Sequence, residues 1–196
     1  MSILYILLSL LLWGLIHSLL ASLAFKSFLA NLFGKSLMRG YRLFYNIFSL
    51  LSFLPILWPV ATLPDALLYS VPAPISYAMI LGQGVGAVLL ILGVLQTDTL
   101  YFVGLRQLIE QEKPAKFVTG GLYRLVRHPL YTAGLLFLWL SPQVTVNSFT
   151  LYAAVTIYIL IGAYFEERKL LREFGEAYAD YRSRTPMLIP WLKLGV

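Results

Sequence analysis

Long runs of apolar residues, separated by shorter polar stretches, follow one another along the chain. Most runs approach the roughly 20 residues that an α-helix needs to cross a hydrocarbon core about 30 Å thick. A helix suits such a core because it satisfies its backbone polar groups within one segment. The pattern predicts an all-α membrane protein with about five transmembrane helices, over residues 3–25, 43–63, 75–95, 129–140 and 146–165.

The fourth apolar run, from Pro129 to Leu140, is the shortest and is followed by Ser141-Pro142. At 1.5 Å per residue it covers about 18 Å, which is short of a full crossing. We therefore expect the fourth and fifth helices to form a C-terminal hairpin with a short first arm, or one lengthened by residues before Pro129. The charged stretch of residues 166–196 predicts an amphipathic tail helix after this hairpin.

The length of 196 residues suits one structural domain. Residues 1–95 hold the three N-terminal helices, and residues 96–196 hold a long polar loop, the hairpin and the tail. The first run, residues 3–25, is too long for the apolar core of a secretory signal and has no positive charge before it. We interpret it as a retained helix.

The composition supports a membrane protein and excludes several kinds of site. Apolar residues make up 59% of the chain and charged residues 12%, whereas soluble domains average about half and a quarter. The absence of cysteine excludes disulfides, thiolate metal sites and a cysteine nucleophile. The net charge is +6, but the basic residues flank apolar runs, so anionic lipid headgroups are a simpler partner than nucleic acid.

The basic residues are confined to one set of the connections between predicted helices. Four lie in the first connection, five in the loop of residues 96–128 and six in the tail, which accounts for all 15. The N-terminus and the turns of residues 64–74 and 141–147 carry none. With five crossings, the two sets fall on opposite sides of the membrane. The positive-inside rule then predicts an outside N-terminus and a cytoplasmic C-terminus with its tail helix.

The densest group of polar residues near a membrane boundary spans residues 120–131. Gly120-Gly121 permits a tight turn, and Pro129 suits the first position of a helix, where its missing N–H needs no partner. Arg127 and His128 are therefore expected at a helix N-terminus. Free N–H groups and a partial positive charge at such a terminus favour anionic groups.

A second polar cluster, Glu166-Glu167-Arg168-Lys169, follows the fifth run, and the hairpin would bring it beside the first cluster. Two carboxylates at a helix C-terminus are unfavourable against the helix dipole. We therefore expect a cation to pair with them, either Arg127 or Arg124. Further along, helical spacing predicts an aromatic and apolar face that would form a lid under the hairpin, made of Leu171, Phe174, Tyr178 and Tyr181.

These residues also allow a purely structural interpretation. The arginines would be topological anchors, His128 an interfacial residue, and the tyrosines an aromatic belt. Ionisable clusters at a membrane boundary favour a functional role, but by themselves they leave both interpretations open.

The order of the motifs in the C-terminal half resembles that of a known superfamily. It contains Gly121-Leu122-Tyr123-Arg124, Arg127-His128-Pro129-Leu130-Tyr131, Ser141-Pro142, Glu166-Glu167-Arg168, Phe174-Gly175, Tyr178, Tyr181-Arg182, Pro186 and Pro190. This succession resembles the isoprenylcysteine carboxyl methyltransferase superfamily of integral membrane enzymes. It is also similar to the phospholipid N-methyltransferases and the bacterial methanethiol S-methyltransferases of that superfamily.

The resemblance implies an S-adenosylmethionine-dependent methyltransferase that releases S-adenosylhomocysteine. Because this cofactor is made in the cytosol, it agrees with the topology that the charges predict, and residues 96–128 would form the cofactor-binding loop. The methyl acceptor would be lipophilic or small, with a thiol, carboxylate or amine group. No residue distinguishes these acceptors or predicts the oligomeric state.

The resemblance also implies a role for each motif residue. Arg127 or a free helix N–H would bind the cofactor carboxylate, and Glu167, with Glu166, would bind its ribose hydroxyls or amino group. Arg124 and Arg127 are the candidate catalytic residues, because either would orient an anionic acceptor. No metal ion is expected. The other candidate cofactor-binding residues are Tyr123, His128, Pro129, Tyr131, Tyr178 and Tyr181.

The N-terminal half carries Ile16-His17-Ser18 and Tyr41-Arg42-Leu43-Phe44-Tyr45-Asn46. These motifs are similar to those of the methanethiol methyltransferases and of a membrane family found near nitrite and nitric-oxide reductase genes. The second group is related to ζ-carotene isomerase, where haem is involved. This resemblance makes His17 a candidate axial ligand or substrate-site residue, and it implies the alternative of a haem-binding isomerase-like or electron-transfer protein. The structural interpretation is a packed histidine that is hydrogen-bonded to a neighbouring helix.

Overall fold

The computed structural model describes residues 1–109 and 117–192, apart from the side chains of Lys35 and Leu37. This part of the chain forms ten α-helices, two short β-strands and one turn of 3-10 helix. The helices are α1 Ser2–Ala21, α2 Leu23–Phe33, α3 Lys35–Met38, α4 Tyr41–Thr62, α5 Ile75–Gln96, α6 Thr99–Val103, α7 Arg106–Ile109, α8 Pro129–Trp139, α9 Val146–Phe174 and α10 Glu176–Arg184. The strands are β1 Leu67–Ser70 and β2 Gln143–Thr145, and the 3-10 turn covers Gly121–Arg124.

Four helices of the described residues are long and apolar enough to cross a membrane. They are α1, α4, α5 and α9, with 20, 22, 22 and 29 residues. They correspond to the first, second, third and fifth predicted runs, so the predicted helical membrane architecture is confirmed. The chain is a multi-pass membrane protein. The fourth run forms α8, whose 11 residues are too few to cross alone, in agreement with the short arm expected from the sequence.

Helix α9 extends further than the hydropathy pattern predicts. It runs without a break from Val146 to Phe174, whereas the fifth run was expected to end at residue 165. Glutamate, arginine and lysine favour helix, so the charged residues that follow the apolar run continue it. Glu166 and Glu167 therefore lie within a helix rather than at its C-terminus. The tail helix, α10, begins at Glu176 and not at Glu166, so that predicted boundary was wrong.

Two further features differ from the sequence prediction. The first connection, expected to be a short polar stretch, contains α2 and α3, and the Ser22 side chain caps α2 by accepting the Phe25 N–H at 3.2 Å. Strands β1 and β2 pair in a two-stranded sheet that the hydropathy pattern does not reveal. The fold is therefore mostly, rather than entirely, α-helical.

The chain divides into two compact units. Unit 1 holds the described residues of Met1–Leu68, Asp98–Pro114 and Thr145–Ala154. Unit 2 holds those of Tyr69–Thr97, Ala115–Val144 and Val155–Val196.

In unit 1, helix α1 packs against α4. The Ser2 hydroxyl donates to the Pro64 carbonyl at 2.7 Å, and the Asn147 N–H donates to the Asp65 carboxylate at 2.9 Å. The N-terminus, the residues that directly follow α4 and the start of α9 therefore meet at one end of unit 1. These are the segments in which the sequence has no basic residue.

In unit 2, helix α8 lies close against α5. A Cβ atom on Gly86 would lie 3.1 Å from the Ala133 carbonyl oxygen and 3.2 Å from the Phe137 nitrogen. Small residues let two helix backbones approach in this way. Gly86 therefore serves the packing of α8 against α5.

The residues on either side of α8 continue the contact with the α5 segment. The Leu122 N–H donates to the Gln96 side chain at 2.9 Å, at the C-terminal end of α5. At the other end, the Val71 N–H donates to the Pro142 carbonyl at 2.8 Å. Residues 122–142 thus run beside the whole of α5.

Candidate functional site

The start of α8 is fastened to the segment that follows α10. Pro129 occupies the first turn of α8, as the sequence predicts, and His128 is the residue before it. The Arg127 N–H, the His128 N–H and the Thr132 hydroxyl donate to the carbonyls of Pro186, Met187 and Leu188, at 2.9, 3.1 and 2.7 Å. These contacts do not involve the N–H groups of Leu130 and Tyr131, which belong to the first turn of α8.

Glu167 lies at the centre of an ionic cluster in unit 2. Its Oε1 atom is 2.6 Å from Arg127 Nε and 3.2 Å from His128 Nε2, and its Oε2 atom is 3.5 Å from Arg182 Nε. Its side chain is only 9% exposed. The Arg127 Nη1 atom also donates to the carbonyls of Thr185 and Arg182, at 2.5 and 3.1 Å. Of the two cations expected to pair with the glutamates, Arg127 does so, and its partner is Glu167.

The position of this cluster along α9 coincides with the end of the apolar run. At 1.5 Å per residue, Glu167 lies about 31 Å from the start of α9 at Val146. This distance matches the roughly 30 Å thickness of a hydrocarbon core. The ionic cluster therefore lies where a membrane boundary is expected, and a charged pair costs less there than at the bilayer centre.

Glu166, the preceding residue, has different surroundings. Its side chain is 46% exposed. The Tyr131 hydroxyl donates to its Oε2 atom at 3.0 Å, and His128 Nδ1 lies 3.6 Å from the same oxygen. The rings of His128 and Tyr131 stack with their centroids 5.3 Å apart. The two neighbouring carboxylates thus share His128, but only Glu167 is buried.

Four aromatic rings form a second part of the site. Phe117 stacks on Phe174 at 5.0 Å and lies 5.8 and 5.4 Å from the rings of Tyr178 and Tyr181. Tyr178 is 1% exposed, and its hydroxyl has no hydrogen-bond partner among the described residues. The Tyr181 hydroxyl donates to the Tyr123 carbonyl at 2.6 Å. Burial raises the pKa of Tyr178, and it raises the pKa of Tyr181 to about 12, so both phenols are neutral at physiological pH.

The sequence analysis gives Arg124 and Arg127 the same candidate roles, but the structure gives the two side chains different surroundings. Arg124 ends the 3-10 turn and is exposed, and it makes no hydrogen bond or ion pair with a described residue. The turn itself depends on Gly121, whose φ of 61° is unfavourable for other residues and whose missing side chain leaves room for Gln96. Arg124 is therefore open to an anion, whereas Arg127 is not.

The structure brings most of the predicted site residues together. Arg127, His128, Tyr131, Glu166 and Glu167 form one contact network. Tyr178 and Tyr181 lie in the aromatic part, and Tyr123 meets it through its carbonyl, which accepts from Tyr181. Pro129 is buried in the first turn of α8 and offers no polar group. Of the five basic residues in the long loop, Lys113 and Lys116 lie outside the described residues.

Sequence reasoning missed several residues that hold the site in place. Arg182 belongs to one of the sequence motifs, but no role was predicted for it. A signal was present, because Tyr178 and Arg182 are spaced i, i+4 and so share a face of α10. The backbone contacts of residues 185–188 and the Phe117 ring have no such signal, because they depend on tertiary packing.

His17, the other candidate, lies in unit 1. Its Nε2 atom is 2.6 Å from the Tyr45 hydroxyl of α4, and its ring stacks on Trp13 at 4.6 Å. The structural interpretation of a packed histidine bonded to a neighbouring helix is therefore confirmed.

The motif of residues 41–46 also has a structural role in unit 1. The Asn46 side chain donates to the carbonyls of Phe102 and Val103 at 3.0 and 2.8 Å, and Arg42 donates to the Phe102 carbonyl at 3.2 Å. These bonds satisfy carbonyls at the C-terminal end of α6, which a helix leaves unpaired. The motif thus fastens α6 to α4.

The chain is similar to a protein family and to several named methyltransferases. A family model described as NnrU protein matches residues 5–189. Methanethiol S-methyltransferase 1 of Bradyrhizobium diazoefficiens is 30% identical over 180 residues, which is 89% of this chain and 62% of that protein. Methanethiol S-methyltransferase of Crocosphaera subtropica is 32% identical over 188 residues, or 92% of this chain and 71% of that protein.

A more distant relative is protein-S-isoprenylcysteine O-methyltransferase B of Arabidopsis thaliana. It is 30% identical over 90 residues, 43% of this chain and 44% of that protein. The resemblance noted in the sequence is supported in part, since the matches include both methanethiol and isoprenylcysteine methyltransferases. No solved structure matches the chain significantly.

Proposed function

This chain belongs to the NnrU protein family, and from that membership and the geometry of unit 2 we propose that it is a membrane methyltransferase that transfers the methyl group of S-adenosylmethionine to a small thiol. The names of its relatives support the thiol acceptor. The observation that carries the proposal is the ionic cluster of unit 2. Two motifs far apart in the sequence, residues 127–131 and residues 166–167, meet there in direct contact.

The residues of unit 2 fit the chemical groups of this methyl donor. Exposed Arg124 suits its carboxylate, and half-exposed Glu166 suits its cationic groups or ribose hydroxyls. The buried Tyr178 hydroxyl lacks a partner among the described residues and suits a polar atom of the nucleoside. The neighbouring aromatic rings suit the flat base, and aromatic faces attract a sulfonium by cation–π interaction.

The buried residues have a different task in this proposal. Arg127 joins the start of α8 to α9 through Glu167 and to the end of α10 through the carbonyls of Arg182 and Thr185, so it positions the site instead of contacting the donor carboxylate. His128 is buried between the two glutamates and keeps them in a defined arrangement. The catalytic contribution of such a framework is alignment, which is worth about 7–11 kcal/mol, together with the exclusion of water.

The donor, when bound, supplies an electrophilic methyl group whose sulfonium leaves as a neutral thioether, so no acid is required. The acceptor thiol loses its proton to water, its sulfur then gains the methyl group, and the donor sulfur keeps the electron pair of the broken bond. The protein must therefore hold the acceptor sulfur in line with the methyl group. Reacting atoms about 3–3.5 Å apart and aligned satisfy this requirement.

We also propose that the site faces the cytoplasm, with the N-terminus outside. The distribution of all 15 basic residues supports this orientation. The meeting of the N-terminus with the turns at Asp65 and Asn147 in unit 1 supports it further, because those segments carry no basic residue. Cysteine-accessibility labelling is a direct test, since the chain has no native cysteine to remove.

The experiment that tests the function uses the purified protein in liposomes. Calorimetry with S-adenosylhomocysteine should give a dissociation constant in the range of about 1 μM to 1 mM that is typical of enzyme ligands. Methanethiol and the methyl donor should together yield dimethyl sulfide, measured in the headspace by gas chromatography. A wild-type protein that binds neither the donor nor its demethylated product would refute the proposal. Labelled methyl groups found only on a phospholipid amine or a prenylcysteine carboxylate would refute the thiol acceptor alone.

A further inference from the structure

The two adjacent glutamates of α9 have surroundings that assign them different tasks. Glu167 is buried and lies between two guanidinium groups, those of Arg127 and Arg182. Glu166 is half-exposed, and its described partners are a phenol hydroxyl and an imidazole. We propose that Glu166 binds a cationic group of the methyl donor, whereas Glu167 is a positioning residue that contacts no ligand. This inference rests on the proposed function.

The first argument concerns charge. The carboxylate of Glu167 is neutralised within the protein by Arg127, and Arg182 adds a second positive charge at 3.5 Å. No arginine or lysine among the described residues forms an ion pair with Glu166. The site therefore presents one negative charge that the described part of the chain does not compensate. A ligand that carries a positive charge is the complement of such a site.

The second argument concerns the remaining hydrogen-bonding capacity. An ionised carboxylate has about four acceptor positions. Both described contacts of Glu166 involve Oε2, and its Oε1 atom accepts no hydrogen bond from a described residue. Oε1 and Oε2 of Glu167 are each within 3.5 Å of a cationic nitrogen. Of the two glutamates, only Glu166 has an oxygen that neither accepts a hydrogen bond from, nor forms an ion pair with, a described residue.

The third argument concerns orientation. The Tyr131 hydroxyl holds Oε2 of Glu166 at 3.0 Å, and the Tyr131 ring stacks on His128, which in turn is fixed by Glu167. An exposed carboxylate on a helix surface normally samples several rotamers. Here one oxygen is held and the other is presented, so part of the entropy cost of ordering the side chain is already met before a ligand binds.

The methyl donor carries two cationic groups, its sulfonium and its α-ammonium, and either one would complement Glu166. Three ligands distinguish them. Sinefungin carries an amine at the position of the sulfonium and keeps the α-ammonium. S-adenosylhomocysteine keeps the α-ammonium but has a neutral sulfur. Methylthioadenosine has neither charge, and so it reports on the nucleoside part of the site alone.

The test measures the affinity of these ligands by calorimetry for the full-length wild type and for Glu166→Gln. The matched control is Glu173→Gln, which changes an exposed glutamate of the same helix. Loss of one charge-assisted hydrogen bond should weaken sinefungin binding by about 10- to 100-fold. Binding of methylthioadenosine and the thermal unfolding midpoint should not change. If S-adenosylhomocysteine also loses affinity in Glu166→Gln, the group that Glu166 binds is the α-ammonium. If only sinefungin loses affinity, that group is the one at the sulfonium position.

Glu167→Gln should give a different pattern. Because it alters the shared framework, all three ligands should lose affinity by a similar factor, and the unfolding midpoint should fall. Glu167→Asp keeps the charge, so its ligand affinities and its unfolding midpoint should both lie between those of Glu167→Gln and the wild type. If Glu166→Gln binds every ligand like the wild type, or loses methylthioadenosine as strongly as sinefungin, the division between the two glutamates is wrong. A wild type that binds none of the three ligands would instead contradict the proposed function.

Discussion

The two histidines of the chain, one in each unit, have partners of different character. In unit 1, His17 meets the Tyr45 hydroxyl and stacks on Trp13, and both of these partners are neutral. In unit 2, His128 lies between two carboxylates, 3.6 Å from Glu166 and 3.2 Å from Glu167. The same residue type therefore joins two apolar helices in one unit and an ionic cluster in the other.

Position along the transmembrane helices explains this difference. His17 lies about 22 Å from the first residue of α1, inside a run that spans a ~30 Å core. Unpaired polar groups are costly in hydrocarbon, and charges are costlier still. A neutral pair therefore suits that depth. Glu166 and Glu167 lie at the end of the apolar part of α9, where charged groups and a water-soluble ligand are both tolerated.

The largest expected effect comes from breaking the ionic cluster of unit 2. Arg127→Leu leaves the buried Glu167 without its nearest cation, at an expected cost of about 3–5 kcal/mol in the free energy of unfolding. Arg124→Leu is the matched control, because Arg124 is exposed, and it should change stability by no more than about 0.5 kcal/mol. Thermal unfolding in detergent measures both. Equal losses in the two variants would mean that Arg127 does not hold the cluster.

The second largest expected loss of stability comes from disturbing the packing of α8 against α5, which is a part of unit 2 outside the ionic cluster. In Gly86→Ala, the new Cβ would press on backbone atoms of α8 at 3.1 and 3.2 Å. Overpacking of this kind costs about 1–3 kcal/mol. Gly84→Ala is the control on the same helix, since nothing lies within 4 Å of its Cβ position, and it should be neutral or slightly stabilising. A chemical-denaturant series on both variants checks this, and similar stabilities would contradict the close α5–α8 packing.

The next prediction contrasts the tyrosines beside the two histidines. Tyr45→Phe removes the hydroxyl that meets His17 and should cost about 0.6–1 kcal/mol of stability. Affinity for S-adenosylhomocysteine should not change. Tyr131→Phe should have the opposite profile, with little loss of stability and weaker ligand binding, because it releases Glu166. Paired melting and calorimetry experiments measure both quantities, and a loss of ligand affinity in Tyr45→Phe would remove the contrast between the units.

The smallest effect at neutral pH concerns the buried phenol of Tyr181. Burial raises its pKa from 10.0 to about 12, so the folded state holds this proton more tightly than the unfolded chain does. The associated stability is fully present below pH 10 and is lost as the pH rises towards 12. Tyr181→Phe should therefore show a smaller alkaline decrease of the unfolding midpoint than the wild type. Identical alkaline profiles would indicate that Tyr181 ionises like an exposed phenol.

Much of this architecture is readable from the chain because hydropathy is a local property. The runs that became α1, α4, α5 and α9 are long enough to span a core whatever they pack against. The end of α9 was misjudged for a related reason. Hydropathy falls at Glu166, but helix propensity does not, and the backbone follows propensity to Phe174.

The sequence by itself determined the membrane class, the segregation of the basic residues and the two motifs that meet in unit 2, because each depends on residues close together in the chain. Only the tertiary structure decided that Arg127 is enclosed and Arg124 open, and that Glu167 is buried while Glu166 is not. Adjacent residues of one helix point in different directions, about 100° apart. Their burial therefore depends on which distant segments pack there, here α8 and the carbonyls of residues 182–188.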